Sequence, residues 1–382
     1  MNTERQRGFT LIELMVALVV SSLLVGMILA IFSRMSLAYR GQQQIAGVQQ
    51  VLAAARATIE VDAKQTGFGM AQGFKIANDA PRLHWPVQIT DSSTGPDKIA
   101  FFYADASAQA VVTLAVVPAT WAATPSVVVD TTAGFAPGDL VVLTKVDTSI
   151  NTPIAGEAGI EANIATYDAC VMQLVPAPVA ATALTFSIQP PWGNSSSSQC
   201  TVPTAGTVIY KFVARGYRID PNAAKATLGA LQQSPTGGLF KSEALDGWAD
   251  VAYGFTDIQT ALQVYDGDGN DSTDLDTDPL REWYSDGQQD TQTGTGLNPP
   301  PAAPSAPLQI SISLVARTDR DVEGITTAAT PNLTAAPNLG NNTVGNHVSE
   351  TLPSATNPAL QGSRIYRYLT FQVDFRNTGI GR

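Results

Sequence analysis

The sequence predicts an α+β fold in which one long N-terminal α-helix, membrane-spanning in its first half, packs on an antiparallel β-sheet domain carrying an extra β-rich insertion. Three observations predict it. Residues 9–32 are almost continuously apolar, residues 33–65 carry an apolar stripe at helical spacing, and beyond about Pro81 short β-branched or aromatic runs recur between clusters of Pro, Gly, Ser and Asp. A helix followed by strands is the pattern of helix packed across sheet rather than of alternating βαβ units.

The first element is the most constrained. The run from Phe9 to Phe32 is broken only by Thr10, Glu13, Ser21 and Ser22. Its 24 residues, as a helix, reach about 36 Å, against a hydrocarbon core of about 30 Å. Arg5 and Arg7 precede the run, which predicts a cytoplasmic N-terminus and a domain on the far side of the membrane. Three readings compete. A cleaved signal peptide would need a shorter apolar core with a small-residue site, which Ser36-Leu37-Ala38 imitates. A plain anchor leaves Glu13 without a purpose, since a carboxylate inside a bilayer costs about 2.5–3.5 kcal/mol or more without a partner. The third reading gives Glu13 a task, in assembly.

Beyond Phe32 the apolar pattern becomes periodic. Ile45, Val48, Leu52, Ala55 and Ile59 recur at steps of three and four, while most of the glutamines from Gln42 to Gln50 fall elsewhere. A helix of about 55 residues therefore begins in the membrane and ends amphipathically. Thr66-Gly67-Phe68-Gly69 ends it. Gly26, Gly41 and Gly47 each cost about 1 kcal/mol relative to Ala, either to admit close packing or to let the helix bend.

Strands are expected at Ile99–Tyr103, Val111–Val117, Leu140–Thr144, Leu184–Ile188 and Val208–Arg215. Alternating strands are expected around Ile310, Ile312, Leu314 and around Leu369, Phe371, Val373, Phe375. The divisions are residues 1–8, 9–32, 33–65 and a β-rich domain over 66–382, with the insertion at about 86–207. The 382-residue chain has a net charge of −11 with Lys and Arg scattered, which excludes a basic nucleic-acid surface. Its two histidines, His84 and His347, and the lack of any nucleophile elbow or phosphate-binding glycine loop argue against an enzyme.

The string Arg7-Gly8-Phe9-Thr10-Leu11-Ile12-Glu13-Leu14 resembles the signal of type IV prepilins and pseudopilins. The resemblance implies cleavage by a prepilin peptidase after Gly8, N-methylation of Phe9, and a Glu13 carboxylate that neutralises a neighbouring subunit's N-terminal ammonium. A glycine lets a protease approach the backbone closely, and opposite charges in a low dielectric relieve each other's desolvation. Gly134–Asp139, Ile258–Tyr265 and Tyr366–Asn377 are similar to segments of minor pilins of the PilW type. That implies other major and minor pilins, the peptidase and an inner-membrane assembly platform as partners. It also implies passage from the inner membrane to the pilus on the cell surface, in support of adhesion, twitching motility or DNA uptake. Two alternatives stay open: a pseudopilin of a type II secretion system, and a membrane-tethered surface-binding protein.

Two further features await the fold. Cys170 and Cys200, the only cysteines, either pair in an oxidising compartment or remain as free buried thiols. Pairing closes a loop of about 30 residues, worth roughly 3–4 kcal/mol in the chain-entropy account. Asp266, Asp268, Asn270 and Asp274 match the first, third, fifth and ninth places of a calcium loop. Asp271 stands where glycine belongs and Thr277 where the bidentate Glu belongs, so a solvated acidic turn competes with calcium, the only cofactor suggested.

Overall fold

The computed structural model describes residues 10–70, 73–76, 83–90, 96–116, 118, 121, 125–145, 152–153, 161–162, 169–175, 185–189, 200–220, 229–238, 246–265, 281–285, 306–318, 338–339, 342–343 and 366–375. Everything below concerns those residues.

Helix α1 (Leu11–Gln65) is one unbroken element of 55 residues. Thr10, extended at φ −79° and ψ 151°, caps its start, and Lys64 in the last turn complements the negative end of the helix dipole. The helix stops where the backbone must turn. Thr66 leaves helical geometry, its hydroxyl donates to the Asp62 carbonyl at 3.1 Å, and Gly67 takes φ 81°. The Gly67 amide then donates to the Phe102 carbonyl at 3.0 Å, tying the end of the helix to the sheet.

The first strands are β1 (Phe74–Ile76), β2 (Leu83–His84), β3 (Val87–Thr90), β4 (Lys98–Val111), β5 (Ser126–Val128) and β6 (Leu140–Thr144). They are followed by β7 (Thr152–Pro153), β8 (Glu161–Ala162), β9 (Cys170–Val175), β10 (Thr185–Gln189), β11 (Val208–Ile219), β12 (Ala230–Ser234) and β13 (Ala249–Tyr253). The last are β14 (Phe255–Tyr265), β15 (Arg281–Ser285), β16 (Ala306–Arg317), β17 (Asn338–Leu339), β18 (Asn342–Thr343) and β19 (Tyr366–Asp374). Eleven of them form a large sheet around the path β13-β12-β11-β6-β9-β1-β2, to which β4 joins through β11, β3 through β4, and β10 and β5 through β9. A second sheet runs β15-β14-β16-β19. The pairs are antiparallel except β1 with β9. The expected α+β architecture, a long helix on strands with a further β-rich region, is the one observed.

The backbone of the large sheet is the ladder of β4 against β11, from Val208 opposite Val111 to Arg218 opposite Lys98. The ladder slips once: Tyr210 faces Gln109 and Lys211 faces Asp105, so Ala106-Ser107-Ala108 bulge out without ladder partners, and pairing on both sides keeps this stretch, whose composition alone does not suggest a strand, within β4. The strand expected at Val111–Val117 does not continue past Val111 through the described residues up to Val116, for the converse reason. The ladder ends at Val111, Val112 makes a single bridge to Val129, and Leu114 is exposed. Apolar β-branched residues form a strand only where a partner edge meets them.

Three cores result. The helical residues Val48, Leu52, Ala55, Ile59 and Ala63 pack against both sheets, among them Phe101, Tyr217, Phe255, Ile258, Leu314, Phe371 and Val373. The predicted stripe is thus the buried one, with Ile45 half-buried at its edge. A second core on the opposite side of β4 and β11 is built on Phe74, Phe102 and Phe212, whose rings meet at centroid distances of 5.2–5.9 Å. Phe101 and Phe102 therefore serve opposite faces of one strand buried on both sides. The third core gathers Val127, Val141, Leu143, Met172, Leu174 and Phe186 around Cys170 and Cys200. These two cysteines are joined in a disulfide with Cα atoms 5.6 Å apart. The Trp121 indole N–H donates to the Cys200 carbonyl at 3.3 Å.

Buried polar groups fix how these layers sit. Asp62 accepts from the Tyr103 hydroxyl at 2.7 Å and from the Tyr217 hydroxyl at 2.5 Å, and the latter accepts from the Gln233 amide at 2.8 Å. This pin locks the helix to β4 and β11. Burial, followed by the Asp62 carboxylate, pushes both tyrosines well above their ordinary range. Asp97 joins the sheets: its carboxylate accepts from the Thr260 amide at 2.9 Å and hydroxyl at 3.0 Å, while its own amide donates to the Ile258 carbonyl. At Gly69, with φ 76°, a Cβ would come within 2.7 Å of the Ala104 Cβ, so glycine is required there.

Candidate functional site

The N-terminal turn of α1 is held by a reciprocal cap. The Thr10 hydroxyl accepts from the Glu13 amide at 3.3 Å, and Glu13 Oε2 accepts from the Thr10 amide and hydroxyl, each at 3.0 Å. This is the capping box spelled Thr-x-x-Glu, a role for Thr10 that the spacing carries in plain view but that the charge of Glu13 overshadowed. The carboxylate sits on the first turn, where the positive end of the helix dipole favours it. Both bonds end on Oε2.

From Leu11 to Met35 every described side chain is exposed. The large apolar ones are 50–77% exposed, and Glu13 is the only charged residue between Gly8 and Arg34. No part of the globular domain covers this surface, and it is the helix among the described residues long and apolar enough to cross a membrane. The two serines in it do not need outside partners. Ser21 Oγ donates to the Ala17 carbonyl, and Ser22 Oγ donates to the Val19 carbonyl at 2.8 Å. Their hydroxyls are satisfied by the helix's own backbone, as an apolar surrounding demands. Among the described residues no cation pairs with Glu13. Nothing lies within 4 Å of where a Cβ would stand at Gly26 or Gly47, so packing within this chain requires glycine at neither; Gly41 is buried.

Residues 4–29 match the family described as the prokaryotic N-terminal methylation motif. That motif is the signal of type IV pilin-like and pseudopilin precursors, which the prepilin peptidase processes, and whose role is structural. The match spans Gly8, Phe9 and Glu13 and the first part of α1, and it leaves the β domain unmatched. Gly8 and Phe9 lie outside the described residues. No curated protein and no solved structure matches the chain.

The other anticipated residues fall as follows. Asp266, Asp268, Asn270 and Asp274 lie outside the described residues, in the connection between β14 and β15, which pair from Ala261 opposite Ser285 to Tyr265 opposite Arg281. His347 lies outside them as well. His84 is buried, stacked on Phe74 at 5.4 Å, with Nδ1 3.0 Å from the Gln88 side-chain amide, a packed position on β2. Among the described residues no three His, Cys, Asp or Glu side chains converge as a metal would require. Gly134–Asp139 forms a turn before β6, with Gly134 at φ 85° and Gly138 at φ 94°. Ile258–Tyr265 lies within β14, and the described part of Tyr366–Asn377 holds β19; these strands flank β16 in the smaller sheet beneath the helix.

Proposed function

We propose that this chain is a minor pilin, a structural subunit that enters the membrane and then a type IV pilus through the same helix. The observation that carries the reading is the methylation motif at the head of a helix whose first half is bare and whose second half is bolted to a large domain. A bare apolar half is stable only in lipid or against other subunits, and a packed half lets that movement carry the domain along.

Cleavage after Gly8 makes Phe9 the new N-terminus, and methylation follows there. The Thr10 amide survives the cut, so the capping box still holds Glu13 Oε2, leaving Oε1 for the ammonium of a neighbouring subunit. The domain lies on the periplasmic side until assembly. Its length and extra β-rich region support a minor rather than a major subunit, and the similarity of Gly134–Asp139, Ile258–Tyr265 and Tyr366–Asn377 supports the PilW type. The acidic connection between β14 and β15 is retained as a candidate calcium loop, testable by calorimetric titration with millimolar calcium.

Mass analysis of the N-terminus of protein from membranes tests the reading. A mature chain beginning at N-methylated Phe9 is expected; one beginning at Met1 or Tyr39 would overturn it. Co-purification with pilus subunits rather than with secretion components separates a minor pilin from a pseudopilin.

A further inference from the structure

Burial of α1 begins soon after the apolar run. The run ends at Phe32, Leu37 is the first half-buried residue and Gly41 the first buried one, and packing in the domain core is established by Val48. Five residues of α-helix rise about 7.5 Å. The headgroup layer on one side of a bilayer is about 5–7 Å deep, taking about 40–45 Å overall less a core of about 30 Å. A spanning helix with Phe32 at the edge of the hydrocarbon therefore puts the domain directly on the headgroups.

Arg34 stands in that layer, about 3 Å beyond Phe32, while Tyr39 and Arg40, about 10.5 and 12 Å beyond it, can reach back into it because helical side chains lean toward the helix N-terminus. All three are exposed, and neither arginine pairs with an acid among the described residues. The two arginines are also the first cations after the leader, in a chain of net charge −11. At about 100° per residue, Arg34, Tyr39 and Arg40 leave the helix in three directions separated by about 140°, 100° and 120°. Cations intended for one neighbouring protein would share a face. A ring around the axis fits a surrounding that encircles the helix. Arginine and tyrosine are the long side chains suited to such an interface, with a polar tip on an apolar stem.

We propose that Arg34, Tyr39 and Arg40 form a collar that binds lipid phosphates, sets the depth of the helix, and seats the domain against the membrane. The inference rests on the membrane-spanning reading of α1. Its consequence is that leaving the membrane requires release of this collar as well as of the apolar run, and that anionic lipid should retain the subunit more strongly than zwitterionic lipid.

The test uses the full chain in vesicles of phosphatidylethanolamine and phosphatidylglycerol, with a fluorescent amino acid placed at Ser36 or, as a reference, at Val20. Nitroxide lipids labelled at the headgroup should quench the Ser36 probe several-fold more than lipids labelled at mid-chain, and the order should reverse at Val20. Arg34→Gln with Arg40→Gln should lower headgroup quenching at Ser36 and leave Val20 quenched. Ser36 quenched only by a water-soluble agent, with Val20 still in the acyl region, would overturn the collar and spare the membrane reading. Loss of mid-chain quenching at Val20 would overturn both. Unchanged Ser36 quenching in the double variant, with filament incorporation reduced, would overturn the collar and assign the arginines to a protein partner.

Discussion

Leu23 and Leu52 stand in one unbroken helix, yet Leu23 is 60% exposed and Leu52 only 3%. The two halves of α1 have the same backbone hydrogen bonds and opposite surroundings. In the first half apolar residues face every direction, so no single packing surface can cover them; the surface is left for lipid or for other subunits. In the second half the apolar residues share one stripe, which both sheets cover, while Arg56, Glu60 and Lys64 form an exposed i, i+4 ladder on the helix surface. Helical propensity does not distinguish the halves. What distinguishes them is whether the pattern can be satisfied inside one chain.

Substitutions can break this contrast from either side. The largest effect belongs to Glu13, whose charge is the one feature of the bare half that lipid cannot satisfy. Glu13→Ala should leave membrane insertion intact and cut incorporation into filaments roughly tenfold or more, measured by immunoblot of sheared pili against membranes. Unchanged incorporation would remove the charge-pairing role. Next comes Leu52→Ala, which should destabilise the domain by about 2–5 kcal/mol in denaturant unfolding of the detergent-solubilised chain.

Asp62→Ala should cost about 2–4 kcal/mol in the same assay, because the Tyr103 and Tyr217 hydroxyls would lose a buried acceptor. The same pin predicts a pH dependence. The folded chain holds the protons of both tyrosines above their ordinary value of 10.0, so the unfolded chain ionises first. Their contribution is therefore fully present below about pH 10 and is lost as pH rises above it. Stability that stayed level well above pH 10 would contradict the buried network. The smallest effect sharpens the comparison most. Leu23→Ala, chemically identical to Leu52→Ala, should shift domain stability by less than about 0.5 kcal/mol.

Much of the helix was legible because its signals are local. The stripe from Val48 to Ile59, the glycine-rich stop at Gly67 and the length from Leu11 to Gln65 follow from periodicity and caps. The candidate site was legible for the same reason: a glycine, an aromatic residue and an acid at fixed spacing need no fold to bring them together. The Thr10 cap is equally local, spelled by Thr10 and Glu13 three residues apart. Strands were read less well. β4 continues past a small and polar bulge because β11 pairs with it on both sides, and no strand continues through Thr113–Val116 because the ladder ends at Val111.

By itself the sequence determined the bare helix, its capped and motif-bearing start, and the α+β class, because these depend on residues within a few turns of one another. Only the tertiary structure decided that Asp62 is a pin rather than a surface acid, since its partners lie 41 and 155 residues away. Only the fold could show that Asp97 clasps the second sheet through Thr260, 163 residues on. It also decided where along α1 burial sets in, with Leu37 half-buried, Gly41 buried and the domain core reached by Val48. Burial and partnership are properties of distant chain segments meeting, and no local pattern encodes the meeting.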